Sequence, residues 1–131
     1  MRILFPLLAI ALTGSAVSAT SRASDGTDKD LEKALAGRTA GAPVDCIDRT
    51  FASGPEIIDS KTLLYRSGRH VYRNDLEASC PSLRDNSIIV IEAHGSQMCR
   101  NDLFRPTDPG SAVPGAVCRL GRFTPYDKPK G

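Results

Sequence analysis

Residues 61–81, KTLLYRSGRHVYRNDLEASCP, decide the fold class of this chain. Two apolar-rich runs flank Ser67-Gly68 and the second closes on Cys80-Pro81, the pattern of a β-hairpin tied down at one end. With Ser67-Gly68 as the two-residue turn, Arg66 is expected opposite Arg69, Tyr65 opposite His70, Leu64 opposite Val71 and Leu63 opposite Tyr72. Side chains alternate along a strand, so Leu63, Tyr65, His70 and Tyr72 share one face, and Leu64, Arg66, Arg69, Val71 and Arg73 share the other. The first is the expected core face. The second is expected to be wet, with Leu64 and Val71 covered by another element or by arginine stems.

Outward from the hairpin, Val44 to Phe51 and Glu56 to Asp59 read as short strands separated by a break at Ser53-Gly54-Pro55. Downstream, Ser87-Ile88-Ile89-Val90-Ile91 is apolar without alternation. It is expected to be a central strand buried on both faces, or one whose outer face is covered by an N-terminal helix. Gly95-Ser96 turns the chain and Gln97 to Phe104 returns as a strand. Pro106 to Gly115 forms a loop, and Val117 to Phe123 is the last strand before a polar, proline-bearing tail. About five to seven short strands with one short helix in front predict an all-β or mainly β chain, either a small antiparallel sheet or a partly closed barrel.

At the other end, residues 1–19 (MRILFPLLAIALTGSAVSA) combine Arg2, an apolar run from Ile3 to Leu12, and small side chains at Val17 and Ala19. This is an export signal, expected to be cleaved after Ala19, and its apolar run is too short to span a bilayer. Residues 20–43 form a flexible or short-helical leader. Asp28 or Thr27 is its cap, Leu31, Ala34 and Leu35 share one face, and Gly37 ends it. Residues 44–126 are the β domain and 127–131 a tail. A chain of 131 residues with formal charge +2 implies one domain and neither nucleic acid nor an acidic membrane as partner. The chain is expected to be a monomer that does not span a membrane.

Cys46, Cys80, Cys99 and Cys118 all follow the export signal, so in an oxidising compartment they are expected to pair. Four cysteines allow three connectivities. The local pairs Cys46 with Cys80 and Cys99 with Cys118 are preferred, each stabilising by roughly 3 kcal/mol. With 5% aromatic residues and no tryptophan, the core is small enough to need such staples.

Several of these residues together resemble a family of small exported proteins from Gram-negative bacteria known only as a domain of unknown function. They are Cys46-Ile47, Ile57-Ile58-Asp59 before Thr62-Leu63-Leu64, Val71-Tyr72, Cys80-Pro81 with Leu83, Cys99 followed by Asp102, and Cys118 to Phe123. The resemblance covers residues 46 to 125 and implies the periplasm, or secretion, as the location. It implies no activity. Ser60 departs from the pattern, standing where a second acidic or turn-forming residue is expected, which argues against paired carboxylates holding a metal there.

No catalytic residue is assigned. Paired thiols leave no thiolate nucleophile, a Gly-x-Ser-x-Gly elbow and a Cys-x-x-Cys motif are both absent, and no cofactor is expected. Arg66, Arg69 and Arg73 on one hairpin face are the binding candidates, suited to phosphate or carboxylate groups of an envelope component or a protein. The expected function is therefore a non-catalytic periplasmic binding or interaction module. One alternative is a metal-dependent or His/carboxylate hydrolase built from His70, His94, Asp75 and Glu92, although these lack a short-spaced ligand pair. Another is a protease inhibitor presenting the Pro106 to Gly115 loop.

Overall fold

The computed structural model describes residues 25–130. The expected export signal and the start of the expected leader lie outside the described residues. The elements are one helix, α1 (Asp25–Leu35), and ten strands: β1 (Thr39–Ala40), β2 (Cys46–Asp48), β3 (Ala52–Ile57), β4 (Thr62–Ser67), β5 (His70–Asp75), β6 (Ile88–Glu92), β7 (Gln97–Cys99), β8 (Leu103–Thr107), β9 (Cys118–Arg119) and β10 (Phe123–Asp127).

The expected hairpin is β4–β5, with its turn one residue further along. Ser67 pairs with His70 around Gly68-Arg69, and Gly68 takes φ 57°. A glycine at positive φ in the first central position is the requirement of a type II′ turn, whose twist matches that of the strands. Arg66 therefore faces Val71, Leu64 faces Arg73 and Tyr65 faces Tyr72. Moving the turn by one residue shifts each partner by two, so parity is kept and the division into two faces survives. Only Arg69 leaves its face, for the turn.

Three antiparallel sheets result, none closed into a barrel: β1-β10-β5-β4-β3, β2-β7 and β6-β8-β9. One core joins them. Leu63, Tyr65 and Phe123 come from the large sheet, Ile47 and Met98 from the smallest, Phe104 and Cys118 from the third, and Leu76, Cys80, Leu83 and Leu120 from connections. Tyr65 meets Phe123 edge to face with ring centroids 5.9 Å apart. The other face of β4–β5 is not wet around its apolar residues. Leu64 and Val71 are 0% and 1% exposed. The helix lies beside that face, its Lys33 and Ala34 bordering the same groove as Glu56, Ile57 and Arg66. Arg38, just past the helix, donates to the Arg69 and Tyr126 carbonyls at 2.7 and 3.3 Å, which ties the leader to the hairpin tip.

Several expectations are corrected. The disulfides are Cys46–Cys99 and Cys80–Cys118, not the local pairs. Cys46 and Cys99 are register partners in β2–β7, with Cα atoms 4.0 Å apart, so strand pairing chooses the bond. The two bonds interleave along the chain, and each closes a longer loop than the local pairs would, worth about 4 kcal/mol apiece in chain entropy. The isoleucine-rich strand β6 is an edge, not a centre. Ile89 and Ile91 turn inward, while Ile88 and Val90 are more than half exposed. Its alternation exists, but apolar residues occupy both faces and hide it in the sequence.

The break at Ser53-Gly54-Pro55 lies inside β3, where the register shifts between Ser53 and Glu56. A bulge on an edge strand accommodates a proline that a central ladder would reject. The expected return strand from Gln97 to Phe104 divides into β7 and β8 at a turn, where the Cys99 N–H donates to Asp102 Oδ2 at 2.7 Å. Finally, the polar tail begins one residue into a strand. β10 runs to Asp127 between β1 and β5, placing Asp127 opposite His70. Phe123 is its only fully buried large side chain, too few to give a period.

Asn74 locks β5 to the start of β10. It is fully buried; its Nδ2 donates to the Gly121 carbonyl at 2.8 Å and its Oδ1 accepts the Gly121 N–H at 2.9 Å. Gly121 passes so close that a Cβ there would lie 1.7 Å from the Asp75 carbonyl oxygen. Only glycine fits.

Candidate functional site

Where the three sheets meet, a slot of about 160 Å³ remains between them. Strand β6 contributes Ile89 and Ile91, β7 contributes Met98, and β4 contributes Tyr65. The β3 bulge brings Ala52 and Gly54-Pro55 to the wall, and the connections supply Arg49 and Ala93. Local structure explains each placement. The period of two sends Ile89 and Ile91 to the same side of β6, and the register shift in β3 leaves Gly54-Pro55 out of the ladder. Arg49 is pinned by its backbone, its N–H donating to the Ser96 carbonyl at 2.9 Å and its carbonyl accepting the Ala52 N–H at 3.3 Å.

Two of the lining residues, Tyr65 and Arg49, carry polar groups. Tyr65 is 2% exposed, and its hydroxyl is the one buried side-chain polar atom among the described residues without a hydrogen-bond partner. Burial pushes its phenol pKa up, because the phenolate would lose its hydration. An unpaired buried hydroxyl costs free energy and is uncommon in native folds. The second group is Arg49. Arg66, Arg73, Arg100 and Arg122 hold Glu56, Asp75, Glu77 and Asp45 at 2.8–3.0 Å. The Arg49 guanidinium carries no such partner among the described residues.

The arginine face of the hairpin differs from its sequence reading. Arg66 is paired with Glu56 across the β3–β4 ladder and Arg73 with Asp75 two residues on, each at 2.9 Å and each about a third to a half exposed. Such exposed pairs contribute about 0–1 kcal/mol, but they cancel the charge that would attract an anion. Arg69, in the turn, keeps its side chain unpaired among the described residues.

The metal candidates do not assemble. His70 is bonded through Nδ1 to Asp127 and leans on Tyr72, and Asp75 is engaged by Arg73. His94 is exposed in the β6–β7 connection, and Glu92 ends β6. Among the described residues no three His, Cys, Asp or Glu side chains are grouped as metal ligands would be. In the Pro106 to Gly115 loop, Pro106 is buried and its carbonyl accepts the Gly115 N–H at 2.7 Å. The Ser111 hydroxyl bonds both the N–H and the carbonyl of Val113. The apex is folded on itself, unlike the extended strand a protease accepts as substrate.

No family model, curated protein or solved structure matches this chain. The functional reading therefore rests on geometry. Of the slot residues, sequence reasoning placed Tyr65 in the core and passed over Arg49. No pattern marks either one, because the slot joins four elements that only tertiary packing brings together. No helix among the described residues is long and apolar enough to cross a membrane, and two disulfides are consistent with folding in an oxidising, extracytoplasmic compartment.

Proposed function

We propose that this chain is a non-catalytic binding module of the periplasm, and that its ligand site is the slot between the sheets, not the arginine face of the hairpin. The export-like first nineteen residues and the two disulfides support the location. A single observation carries the site: a largely apolar slot at the junction of three sheets, bordered by the Arg49 guanidinium, which has no carboxylate partner among the described residues. Apolar walls with a few available polar groups are the composition that small-molecule sites use.

Native mass spectrometry of protein recovered from the periplasm tests this reading. Two variants are compared with wild type: Ala93→Phe, which fills the slot, and the triple replacement of Arg66, Arg69 and Arg73 by serine. The expected result is a small-molecule adduct present in wild type and the triple variant and absent from Ala93→Phe, with all three unfolding cooperatively. An adduct lost only from the triple variant would move the site to the hairpin. Absence of any slot-dependent adduct would remove the proposal.

A further inference from the structure

The slot's dimensions and chemistry narrow its ligand. We infer that it takes a small carboxylate with a compact apolar body, a short-chain aliphatic or simple aromatic acid, with the body between Ile89, Ile91 and Met98 and the carboxylate toward Arg49. This inference rests on the slot being the ligand site.

Size sets the first limit. A volume of about 160 Å³ is close to that of an engineered apolar cavity, about 150 Å³, that admits benzene. Roughly six or seven carbon-sized atoms fit. That size limits the part of a ligand held between the walls. The wall sets the second: apart from Tyr65 and Arg49, its side chains are Ala, Pro, Ile and Met, which offer contact area and no polar partner. Met98 is unbranched and adjusts to irregular shapes. A ligand polar along its whole length would lose hydration there without replacement.

Charge sets the third. Arg49 is the only ionisable side chain on the wall besides the phenol of Tyr65, and no carboxylate lies on the wall. A cationic ligand would meet repulsion without compensation. A carboxylate suits the planar fork of a guanidinium with two parallel N–H···O bonds, and Arg49 has no carboxylate among the described residues to surrender first.

The experiment is titration of the disulfide-intact protein, lacking residues 1–19, with hexanoate and benzoate and with their neutral amides, hexanamide and benzamide. Calorimetry gives affinity, and amide-proton NMR shifts locate the site. Because Arg49 is exposed, the acids are expected to bind about threefold to tenfold more tightly than the amides. Arg49→Gln abolishes that preference, bringing acid and amide affinities together. Shifts centre on Ala52, Ile89, Ile91, Ala93 and Met98, and Ala93→Phe eliminates them. Equal affinity for acid and amide, with shifts at the slot, overturns the carboxylate assignment and leaves the slot as the binding site. Shifts elsewhere, or no binding by any of the four compounds, overturn this assignment outright. In the latter case a slot-dependent adduct from the periplasm would still uphold the site, and its absence would remove both readings.

Discussion

Replacing Tyr65 with phenylalanine removes one oxygen, which isolates the energetic consequence of the hydroxyl. The side chain is 2% exposed and the hydroxyl has no partner among the described residues. Leaving such a group buried and unpaired costs about 1–3 kcal/mol. The space vacated by the oxygen, on the order of 10–15 Å³, costs about 0.3 kcal/mol at ~24 cal/mol per Å³. Tyr65→Phe is therefore expected to stabilise the protein by about 1–3 kcal/mol, a rise in Tm of roughly 4–12 °C at this size. Thermal and urea unfolding with both disulfides intact measure it, and the urea midpoint should rise with an unchanged slope.

The alkaline limb gives an independent reading of the same group. Burial holds the Tyr65 phenol well above its ordinary value of 10.0. Above pH 10 the unfolded chain releases this proton while the folded chain keeps it, so the unfolded state binds fewer protons. Stability is then present in full below pH 10 and falls by about 1.4 kcal/mol for each pH unit above it. Tyr65→Phe should remove that one-proton slope. A variant less stable than wild type by more than about 1 kcal/mol at neutral pH would refute the reasoning, because the hydroxyl would then be hydrogen-bonded, for instance to a bound water.

Other outcomes follow from the packing. Gly121→Ala should destabilise by more than about 3 kcal/mol, since its Cβ would sit 1.7 Å from the Asp75 carbonyl oxygen; urea unfolding or failure to accumulate folded protein reads this out. Asn74→Ala, which strands the buried Gly121 N–H and carbonyl, should cost about 2–4 kcal/mol in the same assay. Peptide mapping without reduction should recover Cys46 joined to Cys99 and Cys80 joined to Cys118, and replacing the second pair by alanine should cost about 4 kcal/mol. Leu64→Ala should cost about 2–5 kcal/mol by chemical denaturation, a value appropriate to core and not to a solvated strand face.

What the sequence determined by itself was local. Ser-Gly between two β-branched and aromatic runs specified a hairpin, and alternation assigned its two faces even though the turn lies one residue further on, since parity survives a shift of two in register. Leu31, Leu35 and Gly37 marked the helical alternative for the leader, found at Asp25–Leu35, which puts Thr27 and Asp28 inside the helix and not at its cap. The even cysteine count required two bonds without naming them. Tertiary structure decided everything that depends on which distant strands are neighbours. Cys46 meets Cys99 because β2 pairs with β7, and β6 becomes an edge because nothing in its own composition reports which flank stays unpaired. The slot likewise needs β3, β4, β6 and β7 at once. Local propensity acts over a few residues, whereas strand order and the gaps between sheets are set by the side-chain volumes of the whole core.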